Sequence, residues 1–412
     1  MRPEEAIETL AIVLAAGLLA EFLARLVRLP RMIFLLAAGV AVGPSALGFV
    51  ALPLDSVGVQ ILLSLGVSFI LFYGGLEISV KVLTRVGVGL GLLAVPGVIV
   101  TACVVGASAT IAFDVPFEAG FLIGAVLAPT DPAILIPLFE RLRVRPKLVQ
   151  TIIAESALND ATAAVLALSV AAFVLDGQGS LAEPLGDFVV ELAVSIALGL
   201  GFGVLLALVL STRRFGIWRE SPAVALMALV AAGYVTISTA GGSGYMGAFI
   251  AGVVAGNARL LGLGAADRHE RELELFSARV TDIVVLLVFI AVGANLPLDT
   301  IAENALPALA VIGVLVLVAR PLTVAVCLLP DRRGSWRRNE LVYMASARET
   351  GVVPVSVAGI LFVEGVPYED EIVTVVAVAI VFTLLVLSTS KAWLARRLDL
   401  VEPPRRSFEP PE

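Results

Sequence analysis

The chain has 412 residues, 59% of them hydrophobic and only 15% charged, with a mean hydropathy of +1.01 and a net charge of −7. Water-soluble domains are about 45–50% apolar and about 25% charged, so this balance excludes an ordinary soluble enzyme, a disordered chain and a nucleic-acid-binding protein. One histidine, His269, and two cysteines, Cys103 and Cys327, are too few ligands for a zinc site, a paired-histidine haem or a disulfide framework.

A helix needs roughly 20 apolar residues to cross about 30 Å of hydrocarbon. Thirteen such stretches follow in chain order, at 5–27, 32–50, 56–79, 86–113, 117–140, 148–174, 185–211, 221–240, 244–262, 276–296, 303–329, 339–362 and 370–394. The expected fold is an all-α polytopic membrane protein with 13 transmembrane helices. The first stretch follows an acidic start (Glu4, Glu5, Glu8) and lacks a small-residue cleavage site, so it reads as a span and not as a signal peptide. The second and ninth are short and Gly-rich and are expected to tilt or end early. Ten-residue alternating strands, the mark of an outer-membrane barrel, are missing from the pattern.

The loops alternate in charge. Basic clusters stand at Arg25/Arg28/Arg31, Lys81/Arg85, Arg141/Arg143/Arg145/Lys147, Arg213/Arg214/Arg219, Arg259/Arg268/Arg271/Arg279 and Arg332/Arg333/Arg337/Arg338. Lys391, Arg396, Arg397, Arg405 and Arg406 join them at the C-terminal end. The intervening loops hold no Lys or Arg. Basic loops stay in the cytoplasm, which places the N-terminus outside and the C-terminus inside. Of the 28 basic residues, Arg2 alone falls outside, while Arg320 and Arg348 fall within spans. The clusters read as topology signals, with no nucleic acid implied. Residues 1–400 are expected to form one transmembrane domain in the inner or plasma membrane. Residues 401–412 should be a disordered cytoplasmic tail, or the stub of a longer one.

Ionisable groups at membrane depth are functional candidates, and here they are Asp131, Glu155, Asp160, Arg320, Arg348 and Glu349. Glu77, Glu191 and Asp282 lie near span ends, where snorkelling explains them. In the fifth span, Pro129-Thr130-Asp131-Pro132 removes backbone donors and interrupts the helix. Asp131 would then compensate the amide end of one half-helix while freed carbonyls face the other; a plain proline kink is the alternative. In the sixth span, Ser156, Asn159 and Asp160 share one helix face, flanked by Glu155. A hydroxyl, an amide oxygen and a carboxylate are hard donors that suit an alkali cation, although a polar stripe gluing helices is the plainer reading. In the twelfth span, Gly351 and Pro354 after Arg348-Glu349-Thr350 mark a second interruption, and the two broken spans run in opposite directions. Such a pair points to a transporter's midplane site. Arg320 needs a buried carboxylate partner, and Glu155 is available.

At these residues the chain resembles the monovalent cation:proton antiporters, specifically the sodium/proton exchanger (NhaP-like) branch with an Asn-Asp pair. The likeness rests on Gly39-Val-Ala-Val-Gly43-Pro44, Phe72-Tyr-Gly-Gly-Leu76-Glu77, Pro129-Thr130-Asp131-Pro132 and, above all, Glu155-Ser156-Ala-Leu-Asn159-Asp160-Ala161. It implies inverted repeats with crossed broken helices and a homodimer. Each protomer would have a dimerisation part and a mobile core that works as an elevator. It also implies an alkali-cation and proton site of Asp160, Ser156, Thr130 and Asp131, supported by Asn159, with Glu155 paired to Arg320 and Arg348 at the crossing. One departure is Glu349, because the branch usually carries Arg-Gly-Ala-Val-Pro where this chain has Arg348-Glu349-Thr350-Gly351-Val-Val-Pro354.

The expected function is exchange of Na⁺ or K⁺ for H⁺, one for one, with cation and proton competing for Asp160 and no cofactor. The rivals are weaker. Gly241-Gly242-Ser243-Gly244 imitates a rhomboid protease motif, but its serine lacks a base on the same side, since His269 lies opposite. Asp131 and Asp160 could form an aspartyl intramembrane protease, yet the Tyr-Asp and Gly-x-Gly-Asp patterns are missing. Gly89-Leu-Gly91-Leu-Leu-Ala94 imitates a dinucleotide fingerprint without the strand it needs. A channel would want a symmetric filter. A sodium-coupled organic-anion symporter would want a roomier second site with more buried donors.

Overall fold

The computed structural model describes residues 3–401 except 28, 132–138, 140, 141, 143, 177–181, 212–216, 219, 265, 266, 332 and 333. Pro132, the tail from 402 onward and the arginines at 2, 28, 141, 143, 213, 214, 219, 332, 333, 405 and 406 therefore lie outside the described residues. Within them, nine helices are long and apolar enough to cross a membrane, and four apolar helices are shorter. Apart from the isolated bridge Val144–Val401, no β-structure occurs among the described residues. The chain is an all-α polytopic membrane protein.

The helices are α1 (Pro3–Val27), α2 (Arg31–Val42), α3 (Val57–Leu76), α4 (Val80–Ala94), α5 (Pro96–Phe113), α6 (Phe117–Val126), α7 (Pro146–Asp176) and α8 (Ala182–Leu210). There follow α9 (Pro222–Thr239), α10 (Gly244–Gly256), α11 (Asp267–Ala294), α12 (Leu298–Leu328), α13 (Arg338–Ser346), α14 (Val352–Val363), α15 (Glu369–Phe382) and α16 (Ser388–Arg397). Several boundaries differ from the apolar runs, each for a local reason. The stretch expected at 86–113 starts earlier and divides at Val95, because Pro96 has no N–H to continue a helix and sits instead at the first position of the next one. α2 stops at Val42, where Gly43-Pro44 and the left-handed Gly48 turn the chain. α10 is 13 residues long and passes into a 3₁₀ turn at Ala258–Leu261. α11 begins at Asp267, nine residues before the apolar run expected from 276, because its charged first turns are helical without being apolar.

Membrane helices pack closely only where side chains are small. A Cβ on Gly124 of α6 would strike the Ala102 carbonyl of α5, and one on Gly252 of α10 would strike the Phe72 carbonyl of α3. Large apolar side chains remain on the outer faces, among them Ile7, Leu18 and Phe22 of α1, as lipid contact requires. α3 and α12 contain a π turn each, at Leu62–Gly66 and Leu315–Ala319, and a third at Thr383–Leu387 joins α15 to α16. Such turns release backbone groups and re-aim side chains. The second ends immediately before Arg320, and the third begins at Thr383.

Candidate functional site

α6 ends at Val126, and Leu127–Asp131 leaves the helical path. α13 ends at Ser346, Ala347–Gly351 is unwound, and α14 starts at Val352. Gly351, one of the two residues that mark the second interruption in the sequence, closes it. Pro354 is not in the break but in the first turn of α14, where its missing N–H costs nothing.

The two interruptions touch. The Arg348 guanidinium donates to the carbonyls of Leu127 and Pro129, just beyond the C-terminal end of α6. The Asp131 amide donates to the Glu349 carbonyl at 2.9 Å. The Asp131 side chain lies over Gly351, the residue preceding α14, so tightly that a Cβ there would overlap its carboxylate. Each broken segment thus supplies the charge that the other's helix end needs, a cation at the carbonyl end of α6 and an anion at the amide end of α14. Asp131 thus reaches the helix end of the other broken span.

α7 supplies the remaining groups. Ser156 Oγ donates to the Thr130 carbonyl. Asn159 Nδ2 donates to Thr130 Oγ1 at 2.9 Å, and Asn159 Oδ1 accepts the Thr130 N–H at 3.3 Å. Both ends of the amide are committed to holding the unwound backbone, so its oxygen does not share the open face with Ser156 and Asp160. A cavity of about 350 Å³ runs from Arg31, Glu77 and Thr281, on the side of the basic loops, to Asp131, Ser156 and Asp160. Thr130 and Asn159 sit behind this lining, buried at 8% and 3% exposure.

Arg320 and Glu155 stand one layer further in. Arg320 Nη2 donates to Glu155 Oε2 at 3.0 Å and Nη1 to Oε1, forming a two-pronged pair. Arg320 Nε donates to the Met344 carbonyl of α13 at 3.1 Å. This single guanidinium ties α12 to both α7 and α13.

The family model for the transmembrane sodium/hydrogen exchanger matches residues 10–397. The chain belongs to this family. It is 26% identical over 381 residues to the K(+)/H(+) antiporter NhaP of Alkalimonas amylolytica, covering 91% of this chain and 63% of that protein. It is 24% identical over 365 residues to the probable Na(+)/H(+) antiporter 2 of Methanocaldococcus jannaschii, covering 86% and 84%. The structure of the sodium proton antiporter MjNhaP1 from the same organism at pH 8 superposes with a TM-score of 0.83 at 23% identity, covering 96% of this chain and 99% of that one, which shows the same fold. The chain spans 63% to 64% of the length of the K(+)/H(+) relatives.

In this exchanger-family chain the imitation protease motif is structural. Ser243 caps α10, its hydroxyl accepting the Met246 N–H, while its own N–H is donated to Ser195 Oγ at 2.6 Å. The dinucleotide-like glycines lie inside α4. Lys391 corrects the charge map drawn from the loops. Placed with the cytoplasmic cluster by its position near the C-terminus, it is fully buried on α16 and donates to the Ser346 carbonyl at the end of α13. Its Nζ stands 3.9 Å from Glu349 Oε1. Thr383 Oγ1 accepts the Thr350 N–H at 3.0 Å, giving the unwound segment a second anchor. Asp282 pairs with Arg31 at 2.9 Å near the cavity entrance, and Glu191 accepts from Ser169 at 2.8 Å. Nothing in the sequence distinguishes a buried lysine near a span end from a topology marker.

Proposed function

We propose that the protein is a secondary active antiporter that exchanges a monovalent alkali cation, Na⁺ or K⁺, for H⁺ across the plasma membrane. The observation that carries this reading is the cavity ending at Ser156 and Asp160, beside an unwound segment whose Thr130 carbonyl accepts the Ser156 hydroxyl. Asp160 is the principal ligand. Ser156 Oγ, the Thr130 carbonyl and Asp131 supply further oxygens, and Asn159 holds Thr130 in place. Proton and cation then compete for one carboxylate, and a carrier that moves only when loaded couples the two gradients.

In the architecture that goes with this function, residues 1–400 form one domain of thirteen spans, the nine long helices and four shorter ones. The N-terminus lies outside and the C-terminus in the cytoplasm, and the fifth and twelfth spans are crossed and broken. A cavity on the basic-loop side fits the inward-facing state of an elevator cycle. Two copies assemble in the lipid bilayer through their dimerisation parts. The relatives' names are divided between K⁺ and Na⁺, so the deciding experiment titrates both. Proton flux in proteoliposomes, recorded against each alkali cation in turn, should respond to Na⁺ or K⁺; a flux indifferent to all of them overturns the proposal.

Two further results follow from a shared carboxylate. The apparent cation affinity should weaken as pH falls, approaching about tenfold per pH unit once the group is mostly protonated. An affinity constant across that range would mean separate sites. With Asn159 in place of a second carboxylate and Arg320 in place of a lysine, the cycle should exchange one charge for one charge. Steady currents on a solid-supported membrane under a cation gradient, absent in Asp160→Asn, would overturn electroneutrality.

A further inference from the structure

Glu349 and Lys391 lie outside the lining of the cavity that reaches Asp160, and both are removed from solvent, at 2% and 0% exposure. Lys391 Nζ is 3.9 Å from Glu349 Oε1 and also donates to the Ser346 carbonyl. Glu349 Oε1 has no hydrogen-bond partner among the described residues, so the lysine charge is what compensates it there. The Glu349 backbone carbonyl is itself the acceptor for the Asp131 amide. The pair is therefore built into the contact between the two interruptions.

The charged groups around this contact can be counted. Glu349 feels the charge of Lys391 on α16, Arg320 on α12, Asp131 in the first interruption and Arg348 beside it, and acts in turn on the Tyr343 hydroxyl of α13. Asp160 faces Asp131 and Arg348, and Arg320 is held by Glu155. Four carboxylates, Asp131, Glu155, Asp160 and Glu349, thus stand against three cations, Arg320, Arg348 and Lys391. One negative charge is left over, which is the charge that one alkali cation or one proton neutralises. Without Lys391 two would remain, and without Glu349 none.

We propose that Glu349 and Lys391 form a neutral pair that sets the net charge around Asp160, and through it the cation affinity and working pH range of the site. Both are positioning residues acting through Asp160. The inference rests on the cation/proton reading of that site. Removing the Glu349 charge leaves no net negative charge for a bound cation or proton to neutralise, which weakens the binding of both alike.

The test measures two quantities on purified protein. One is the cation concentration giving half-maximal thermal stabilisation in NaCl or KCl at several pH values; the other is cation-dependent proton flux in proteoliposomes. Glu349→Gln should raise the half-maximal cation concentration about tenfold and move proton competition to lower pH. Glu349→Asp keeps the charge and should behave as the wild type. Glu349→Gln combined with Lys391→Met restores the balance and should return both values towards wild type. A structural role alone would lower stability and yield without moving the cation midpoint. An unchanged midpoint in Glu349→Gln, or a double variant no closer to wild type than the single, overturns the proposal. Absence of cation-dependent flux in the wild type would overturn the exchange reading, while the binding midpoints would still judge the pair.

Discussion

Asp160→Asn is expected to abolish cation-dependent proton flux, down to the level of empty vesicles, while the protein remains folded. The substitution preserves volume and one oxygen but removes the charge that holds the cation and the carboxylate oxygen proposed to carry the exchanged proton. Asp160 lines the cavity and is not sealed in the core, so the change leaves neither a void nor an unpaired buried cation. Arg348, its basic neighbour, keeps its two backbone carbonyl partners at Leu127 and Pro129. Stability should therefore change little, and an isosteric change at this position should separate transport from folding. Flux in liposomes containing a monodisperse Asp160→Asn protein, with its melting temperature measured alongside, decides the matter. Retained cation-dependent flux would move the site elsewhere. Ser156→Ala provides the graded comparison: loss of a neutral ligand should weaken apparent affinity without abolishing turnover.

What the sequence made legible was whatever depends on short-range pattern. Apolar runs located the helices, because a chain in lipid must satisfy its backbone hydrogen bonds within each segment. Prolines and glycines located both interruptions, though only to within a turn in the second, since a proline early in α14 marks a helix start as readily as a break. Charges at membrane depth singled out Asp131, Glu155, Asp160, Arg320, Arg348 and Glu349. Less legible was which group answers which. Local logic puts Asp131 at the end of its own broken helix, and no spacing rule adds that its carboxylate also lies over Gly351, more than two hundred residues away along the chain. Helical periodicity puts Asn159 on one face with Ser156 and Asp160 but cannot decide that its amide turns inward to Thr130. Lys391 was counted with the loops because a span's end, in sequence, has no depth. These features depend on how separate segments pack, and no spacing rule encodes that.

Glu155 and Arg320 should behave energetically as one group. Both are almost wholly buried, at 1% and 4% exposure, and they meet through two parallel hydrogen bonds. Removing one member strands the other in a medium that solvates charge poorly, which in buried pairs costs roughly 3–5 kcal/mol. Arg320→Gln also gives up the link to the Met344 carbonyl, so its loss should be at least as large as that of Glu155→Gln. With both neutralised, neither charge is stranded, and the double variant should recover part of the loss, although the tie between α7, α12 and α13 is then weakened. Thermal unfolding in detergent of the wild type, both single variants and the double variant gives the coupling directly. Strictly additive losses would mean that the pair contributes nothing as a pair. The recovery expected here has a second consequence. Glu155 and Arg320 sit behind Asp160 and cancel each other's charge, so the double variant should retain the same pH dependence of exchange as the wild type even where its turnover is reduced. A displaced pH dependence in the double variant would place Glu155 among the groups that exchange the proton.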